Sequence, residues 1–270
     1  MKKQILSCLA VALLLAGCAE APVTGRKQLK LVSDSELNAM ALQQYNQFLS
    51  ENKKVTGTSQ AQMVQNAGTR IQRAAEEYFR QRNQSNVLSG YRWEYNLVDD
   101  PQINAWCMPG GKVVVYTGIM PVAQTETGLA VVMGHEIAHA IASHGNERMS
   151  QGLMQQLGGV ALSVALSTKS QQTQSLFNSL YGVGSTVGYV LPNSRNQESE
   201  ADEIGLTFMA MAGYNPNESV AFWQRMAAAN KGGAPPQFLS THPSPQTRVA
   251  NLKKLIPKVM PYYNSSTNKQ

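Results

Sequence analysis

Charge is scarce in this chain of 270 residues: Asp, Glu, Lys and Arg make up 15% of it, against 43% apolar residues. That ratio suits a globular protein with a low-charge interior. The 23 basic and 17 acidic residues are dispersed. With no Lys/Arg block and no basic stretch interleaved with aromatics, nucleic acid is not expected as a partner. Long apolar runs are missing too. Ile5 to Ala16 is too short for a membrane span, and the stretch from Ser150 to Pro192, whose only charge is Lys169, is interrupted by Thr168-Lys169-Ser170-Gln171-Gln172. The latter reads as helices of the core or as helices covering a site. There are three cysteines and four histidines.

The first residues read differently from the rest. Lys2 and Lys3 form a basic start, Ile5 to Ala16 is apolar, and Leu15-Ala16-Gly17-Cys18 closes the stretch. This is the pattern of a cleaved secretory signal over residues 1–17. Its ending resembles the lipobox of bacterial lipoproteins, in which the cysteine becomes the acylated first residue. The resemblance implies lipid on Cys18, a tether over residues 18–32, and a protein anchored to a membrane of the bacterial cell envelope. Ala19 carries no inner-membrane aspartate signal, so the outer membrane, facing the periplasm, is the expected location. Cys8 leaves with the signal and Cys18 carries lipid, so Cys107 stands alone and no intramolecular disulfide is available. Losing Lys2 and Lys3 takes the 23 basic residues to 21 against 17 acidic ones, a mild net charge of +4.

The remainder reads as a mainly helical α+β domain over residues 33–260 with a polar tail over 261–270. Ser33-Asp34-Ser35-Glu36 has capping-box spacing and starts a helix. A second helix is predicted from about Ser59 to Arg82, with Met63, Ala67, Ile71, Ala74, Ala75 and Tyr78 at helical spacing. Tyr91 to Val98 alternates like a half-buried strand. Asp99-Asp100-Pro101 and Pro109-Gly110-Gly111 are turns, and Lys112 to Thr117 is a further strand, giving a small antiparallel sheet. A helix from Thr125 to Gly145, apolar nearly all round, follows with Gly145 as a left-handed cap. Further helices start at Asn215-Pro216-Asn217-Glu218 and at Ser244-Pro245.

Three of the four histidines lie in "GHEIAHAIASHG", Gly134 to Gly145. His135-Glu136-Ile137-Ala138-His139 reads as H-E-x-x-H, which puts two imidazoles on one helix face toward a shared ion. Composition alone predicts about 0.003 such matches in this chain. The third ligand decides the kind of site. His144 stands five residues beyond His139 and follows Ala142, whereas metzincins place their third histidine six residues on, after a glycine at the third position. It is read as a helix-end histidine or one that supports a ligand from behind. Glu198 is the better candidate. In a helix from Ser194 to Ala212, Glu198 and Asp202 share a small apolar face with Ala201, Gly205, Phe208 and Met209. Two like-charged carboxylates one turn apart there need a cation or donors. Glu198 then ligates zinc and Asp202 orients a ligating histidine. Glu200 and Glu203 fall on other sides and read as solvated.

H-E-x-x-H followed by E-x-x-A-D is similar to the gluzincin metallopeptidase family of the CaaX prenyl protease, HtpX and the mitochondrial quality-control peptidase. Over Leu31 to Ile256 the chain most resembles that family's periplasmic lipoprotein members, the BepA and LoiP kind. Weaker motifs are Asn104-Ala105-Trp106, Pro109 to Gly118, Ser194-Arg195 and Thr241-His242-Pro243. The resemblance implies a zinc endopeptidase with one zinc ion per chain, held by His135, His139 and Glu198, with Glu136 as general base. It also implies that Val113, Val114 and Val115 hold a substrate backbone by strand addition, while from the sequence alone the same run reads equally as an internal sheet strand. The expected substrates are unfolded or misassembled envelope proteins. His242 either donates to the developing oxyanion or closes the site as a fourth ligand, and Arg195 supports Asp202 or the oxyanion. An assembly factor or holdase with a closed metal site is the competing expectation. Glu136 argues against it, since a structural site needs no base.

Overall fold

The computed structural model describes residues 18–157, 171–181, 194–229, 237–242, 247–267 and 269–270. Two short strands, β1 (Cys18–Glu20) and β2 (Lys27–Leu29), pair antiparallel. Ser33 then caps α1 (Asp34–Glu51), its side chain accepting from Glu36 N, and Asp34 and Glu36 place negative charge where the helix dipole favours it. Thr58 caps α2 (Ser59–Arg80), accepting from Ala61 N, and Val64, Ala67, Ile71, Ala75 and Tyr78 are buried along one face.

Strands β3 (Lys54–Val55), β4 (Glu94–Val98), β5 (Ala105–Met108) and β6 (Lys112–Tyr116) form a sheet in the order β3-β4-β6-β5. The expected small sheet is present. Pairs β3–β4 and β5–β6 are antiparallel, while β4 and β6 run parallel. The parallel pair follows from β5, a strand the sequence did not reveal. The chain reverses once after β4 and again at Pro109-Gly110-Gly111, where both glycines take positive φ, so β6 returns in the direction of β4. Both faces of the sheet are covered. Val113 and Val115 enter a core with α2, and Val98, Met108, Val114 and Tyr116 enter another with α1. Strand β6 is therefore interior and paired on both sides. Val113, Val114 and Val115 have no edge to offer a substrate backbone, which corrects the role in strand addition and leaves the internal-strand reading; the edge strands are β3 and β5.

After the short helix α3 (Met120–Ala123), α4 (Glu126–Ile141) carries the histidines. Thr125 caps it, accepting from Gly128 N. The helix is buried nearly all round, as expected, between α2, β5, α7 (Arg195–Met211) and α8 (Glu218–Ala228). Its end differs from the sequence reading. Ser143, not Gly145, takes the left-handed conformation (φ 58°), and α5 (His144–Leu157) starts at once, swinging His144 back toward α4. Ser194 and Gln197 form a capping box at the start of α7. Helices α6 (Gln171–Tyr181), α9 (Gln237–Thr241) and α10 (Arg248–Ser265) complete the described elements. The rest of the low-charge stretch from Ser150 to Pro192, and the Ser244-Pro245 helix start, lie outside the described residues. No described helix is long and apolar enough to cross a membrane.

Two expected boundaries move. Residues 18–32 are not a loose tether: Ala21 and Val32 are buried, and Val32 O accepts from Asn146 Nδ2 and Leu31 N donates to Ser150 Oγ, both on α5. The polar tail is partly helix, because α10 runs through Pro257 and Pro261 to Ser265. Gln270 N donates to Gly213 O at 2.7 Å, so the end of the chain is docked.

Helices α4 and α7 meet through Gly134 and Gly205. A Cβ at Gly205 would lie 2.9 Å from Gly134 C and from His135 N, which is backbone that no rotamer change can move aside. Gly205→Ala is expected to cost about 1–3 kcal/mol of folding stability, read as a lower midpoint of denaturant unfolding; an unchanged midpoint would mean the helix pair is looser than the structure shows.

Candidate metal centre

One helical turn on α4 brings His135 and His139 together, with Nε2 atoms 3.0 Å apart. The first turn of α7 delivers Glu198, whose Oε2 is 3.3 Å from His135 Nε2 and whose Oε1 is 3.3 Å from His139 Nε2. His242 follows α9, stacked on Phe238 at 4.4 Å. Its Nδ1 lies 3.0 Å from Glu198 Oε1 and 3.4 Å from His135 Nε2. One donor atom from each of these four residues lies within 4.8 Å of all the others, and all four residues are buried. The structure thus assembles the three expected ligands and adds His242 as a fourth donor.

Asp202 stands where the sequence placed it, with Oδ1 3.0 Å from His135 Nδ1, the nitrogen facing away from the cluster. Its own support is Arg248, which the sequence reading missed. Arg248 Nη2 donates to Asp202 Oδ1 at 2.5 Å and Nη1 to Glu198 Oε2 at 3.2 Å, while the guanidinium lies 3.4 Å over the Trp223 ring. Arg195, expected in that role, is exposed at the start of α7. A signal for Arg248 does exist: with Leu252, Ile256 and Val259 it falls on the buried stripe of α10, where a cation needs an anionic partner.

The second correction concerns Glu200. It is buried, not solvated: Thr24 Oγ1 donates to it, Arg26 Nε donates at 2.6 Å, and His144 Nε2 lies at 3.0 Å. Glu203 is exposed, as expected. His144 is fully buried, and its Nδ1 lies 2.7 Å from His139 Nδ1, which bears out a supporting position.

The electrostatics favour a cation. Burial alone would raise the Glu198 carboxyl, but His242 and His135 hold it far below the usual carboxylate range. Burial pushes His139 well down, leaving a neutral imidazole with a lone pair to give. Burial and Arg248 oppose charge on His135, yet Glu198 and Asp202 overcome them and raise it. Glu136 is different: burial, aided by Glu198, lifts its carboxyl to about 7. Its Oε1 makes no hydrogen bond among the described residues, and His242 Nε2 lies 3.5 Å away. Buried imidazole nitrogens and a carboxylate oxygen, converging beside a carboxylate whose Oε1 makes no hydrogen bond, fit a divalent metal that prefers nitrogen and oxygen donors. Cys107, on β5, is no part of this set; burial keeps it a thiol by pushing its pKa well up.

Comparison with known proteins agrees with this geometry. The model of peptidase family M48 matches residues 65–256. The mitochondrial metalloendopeptidase OMA1 of Saccharomyces cerevisiae is 35% identical over 189 residues, covering 67% of this chain and 52% of the yeast protein. The mitochondrial metalloendopeptidase OMA1 of Bos taurus is 32% identical, covering 88% of this chain and 46% of its own. The beta-barrel assembly-enhancing protease of Yersinia pestis is 29% identical, covering 65% and 37%. The chain spans about half the length of the yeast and bovine relatives. These matches overturn the expected location: relatives at 35% and 32% identity are mitochondrial, and the bacterial protein, at 29%, is the more distant of the three. The likeness to periplasmic lipoprotein members is likewise unsupported as a subtype. The lipobox resemblance rested on a short N-terminal pattern, and residues 1–17 lie outside the described residues.

Removing Arg248 would leave Asp202 and Glu198 buried beside each other without their guanidinium. Arg248→Ala is expected to cost about 3–5 kcal/mol of stability in the metal-free protein, against less than about 0.5 kcal/mol for Arg195→Ala. Denaturant unfolding of both variants checks this; equal costs would contradict the assignment.

Proposed function

The chain belongs to peptidase family M48, and from that membership we propose that it is a zinc-dependent endopeptidase acting on unfolded or misassembled proteins. The observation that carries the proposal is Glu136, a buried carboxyl lifted to about 7 and set between two metal-ligating histidines. A metal held only for structure needs no such group. His135, His139 and Glu198 would hold the zinc ion. When bound, zinc supplies Lewis acidity, which makes a water more acidic and a peptide carbonyl more electrophilic.

The chain's own residues do the rest. Glu136 takes the proton of the attacking water and returns it to the departing amine, a task suited to a carboxyl whose pKa is near neutrality. Asp202 keeps His135 oriented, and Arg248 holds Asp202 in place. The substrate backbone is proposed to add to β5. Asn104 O accepts from Tyr116 N, so in this antiparallel pair the backbone groups of Ala105 and Cys107 point away from β6. An added strand must be extended, which favours unfolded segments over folded surfaces.

A specific observation favours a second, latent state. His242 stands among the metal donors, and Phe238 N on its carrier helix bonds Ile103 O, just before β5, at 3.4 Å. A site closed in this way suits the assembly-factor or holdase reading, or an enzyme that needs a trigger.

Glu136→Gln is expected to lower cleavage of an unfolded protein by about 10²–10⁴-fold with zinc content unchanged, measured by gel assay and elemental analysis on the same samples. If both proteins bind zinc and neither cuts, the holdase reading gains; if neither binds zinc, the proposal fails. For His242→Ala, faster cleavage is the expected result if His242 closes the site, and slower cleavage if it donates to the oxyanion. Unchanged cleavage sinks both roles.

A further inference from the structure

The hairpin of β1 and β2 reaches the metal centre through an unbroken line of polar groups. Arg26, between the strands, makes a fork with Glu147 through Nη1 and Nη2, both at 2.8 Å, and donates through Nε to Glu200 Oε2 at 2.6 Å. Thr24 Oγ1 donates to the other oxygen of Glu200. Gln197 Nε2 closes the far side of Glu147 at 2.7 Å. Glu200 Oε2 lies 3.0 Å from His144 Nε2, and His144 Nδ1 lies 2.7 Å from His139 Nδ1. His144 is fully buried, and Glu200 and Glu147 are nearly so.

The proton count along this line has one solution. Glu200, a carboxylate holding two donors from the hairpin, can only accept from His144, so His144 carries its proton on Nε2. His144 Nδ1 is then an acceptor, and the 2.7 Å contact requires His139 to donate from Nδ1. A neutral imidazole with its proton on Nδ1 keeps the Nε2 lone pair, and it is Nε2 that faces Glu198 and His135. Break the line at Glu200, and His144 can turn its proton to Nδ1, which faces His139 donor to donor and selects the tautomer that cannot bind metal through Nε2. The hairpin also fixes the first turns of α5, through Val32 O with Asn146 and Leu31 N with Ser150, and so the Cα from which His144 projects.

We propose that Arg26 and Glu200 are positioning residues for the metal ligand His139, acting through His144, so that the N-terminal hairpin is a working part of the metal centre. The proposal rests on the metallopeptidase reading only in taking His139 as a ligand. The tautomer argument concerns the metal-free protein and stands by itself.

Two readouts test it on the full chain. The first is zinc affinity, from competition with a chromophoric chelator. The second is the tautomer of His139, from long-range ¹H–¹⁵N spectra of the metal-free protein, in which four histidines are assigned by single substitution. The wild type is expected to show His139 protonated on Nδ1. Glu200→Ala is expected to weaken zinc binding by about 10–100-fold and to move His139 toward the other tautomer. Arg26→Ala leaves Glu200 accepting from His144 but unpins the hairpin, and is expected to weaken zinc binding with the tautomer kept. Arg26→Lys, which keeps the charge without the fork, is expected to recover part of the affinity. Glu20→Gln breaks only the exposed Lys27–Glu20 pair on the same hairpin and should change neither readout. Wild-type zinc affinity in both Arg26→Ala and Glu200→Ala, or an unmoved His139 tautomer in Glu200→Ala, would overturn the proposal and leave the peptidase reading intact. A wild type that binds no zinc would overturn the peptidase reading instead. Should Glu200→Ala fail to fold, the zinc affinity of Arg26→Ala decides, since the Arg26 side chain is 30% exposed.

Discussion

Three carboxylates, Glu136, Glu198 and Asp202, lie in the interior of a protein that keeps charge scarce. A buried carboxylate is costly unless something positive or donating meets it. That requirement organises the middle of this molecule. It draws Arg248 in from the start of α10, gathers three imidazoles around Glu198, and leaves a place where a divalent ion is the natural partner. Glu136 keeps one oxygen without a hydrogen bond, with His242 Nε2 3.5 Å from it, and burial raises its pKa toward neutrality. The same penalty that threatens the fold thus produces the group best suited to move a proton.

Meeting those charges needs backbone precision. Ligands arrive from two helices, α4 and α7, and a short segment after α9, so their spacing depends on how closely α4 and α7 approach. Gly134 and Gly205 allow the two backbones to touch. The sheet holds α4 from another side. Because both its faces are covered, the strand with the strongest apolar signal is an interior one, and the less obvious strand β5 holds one edge.

The outer layer obeys the same rule at one remove. Glu147 and Glu200 are buried carboxylates as well, and here the compensation is Arg26, from a segment far away in sequence. Their placement links the N-terminal hairpin to His139 through His144, and makes the packing of the first described residues bear on the chemistry of the centre.

The sequence alone was enough to pick out His135, His139 and Glu198, which the structure brings together as candidate metal donors, Asp202 beside them, and the helices whose caps and apolar stripes are local features. Helical periodicity places residues on a face without knowledge of the rest of the chain, and H-E-x-x-H is such a local pattern. Tertiary structure decided everything that depends on two distant segments meeting. It put Val113 to Val115 in the interior of the sheet, because a run of valines reads the same in an edge or a central strand. Arg248, not Arg195, stands behind Asp202, because a side chain's partner across space leaves no mark in its own neighbourhood. Glu200 is buried because the hairpin covers a helix side that would otherwise face water, and His242 sits among the ligands because α9 carries it there. A leader-like N-terminus suggested a compartment, but a short pattern carries little information about location, and relatives matched across most of the chain overruled it.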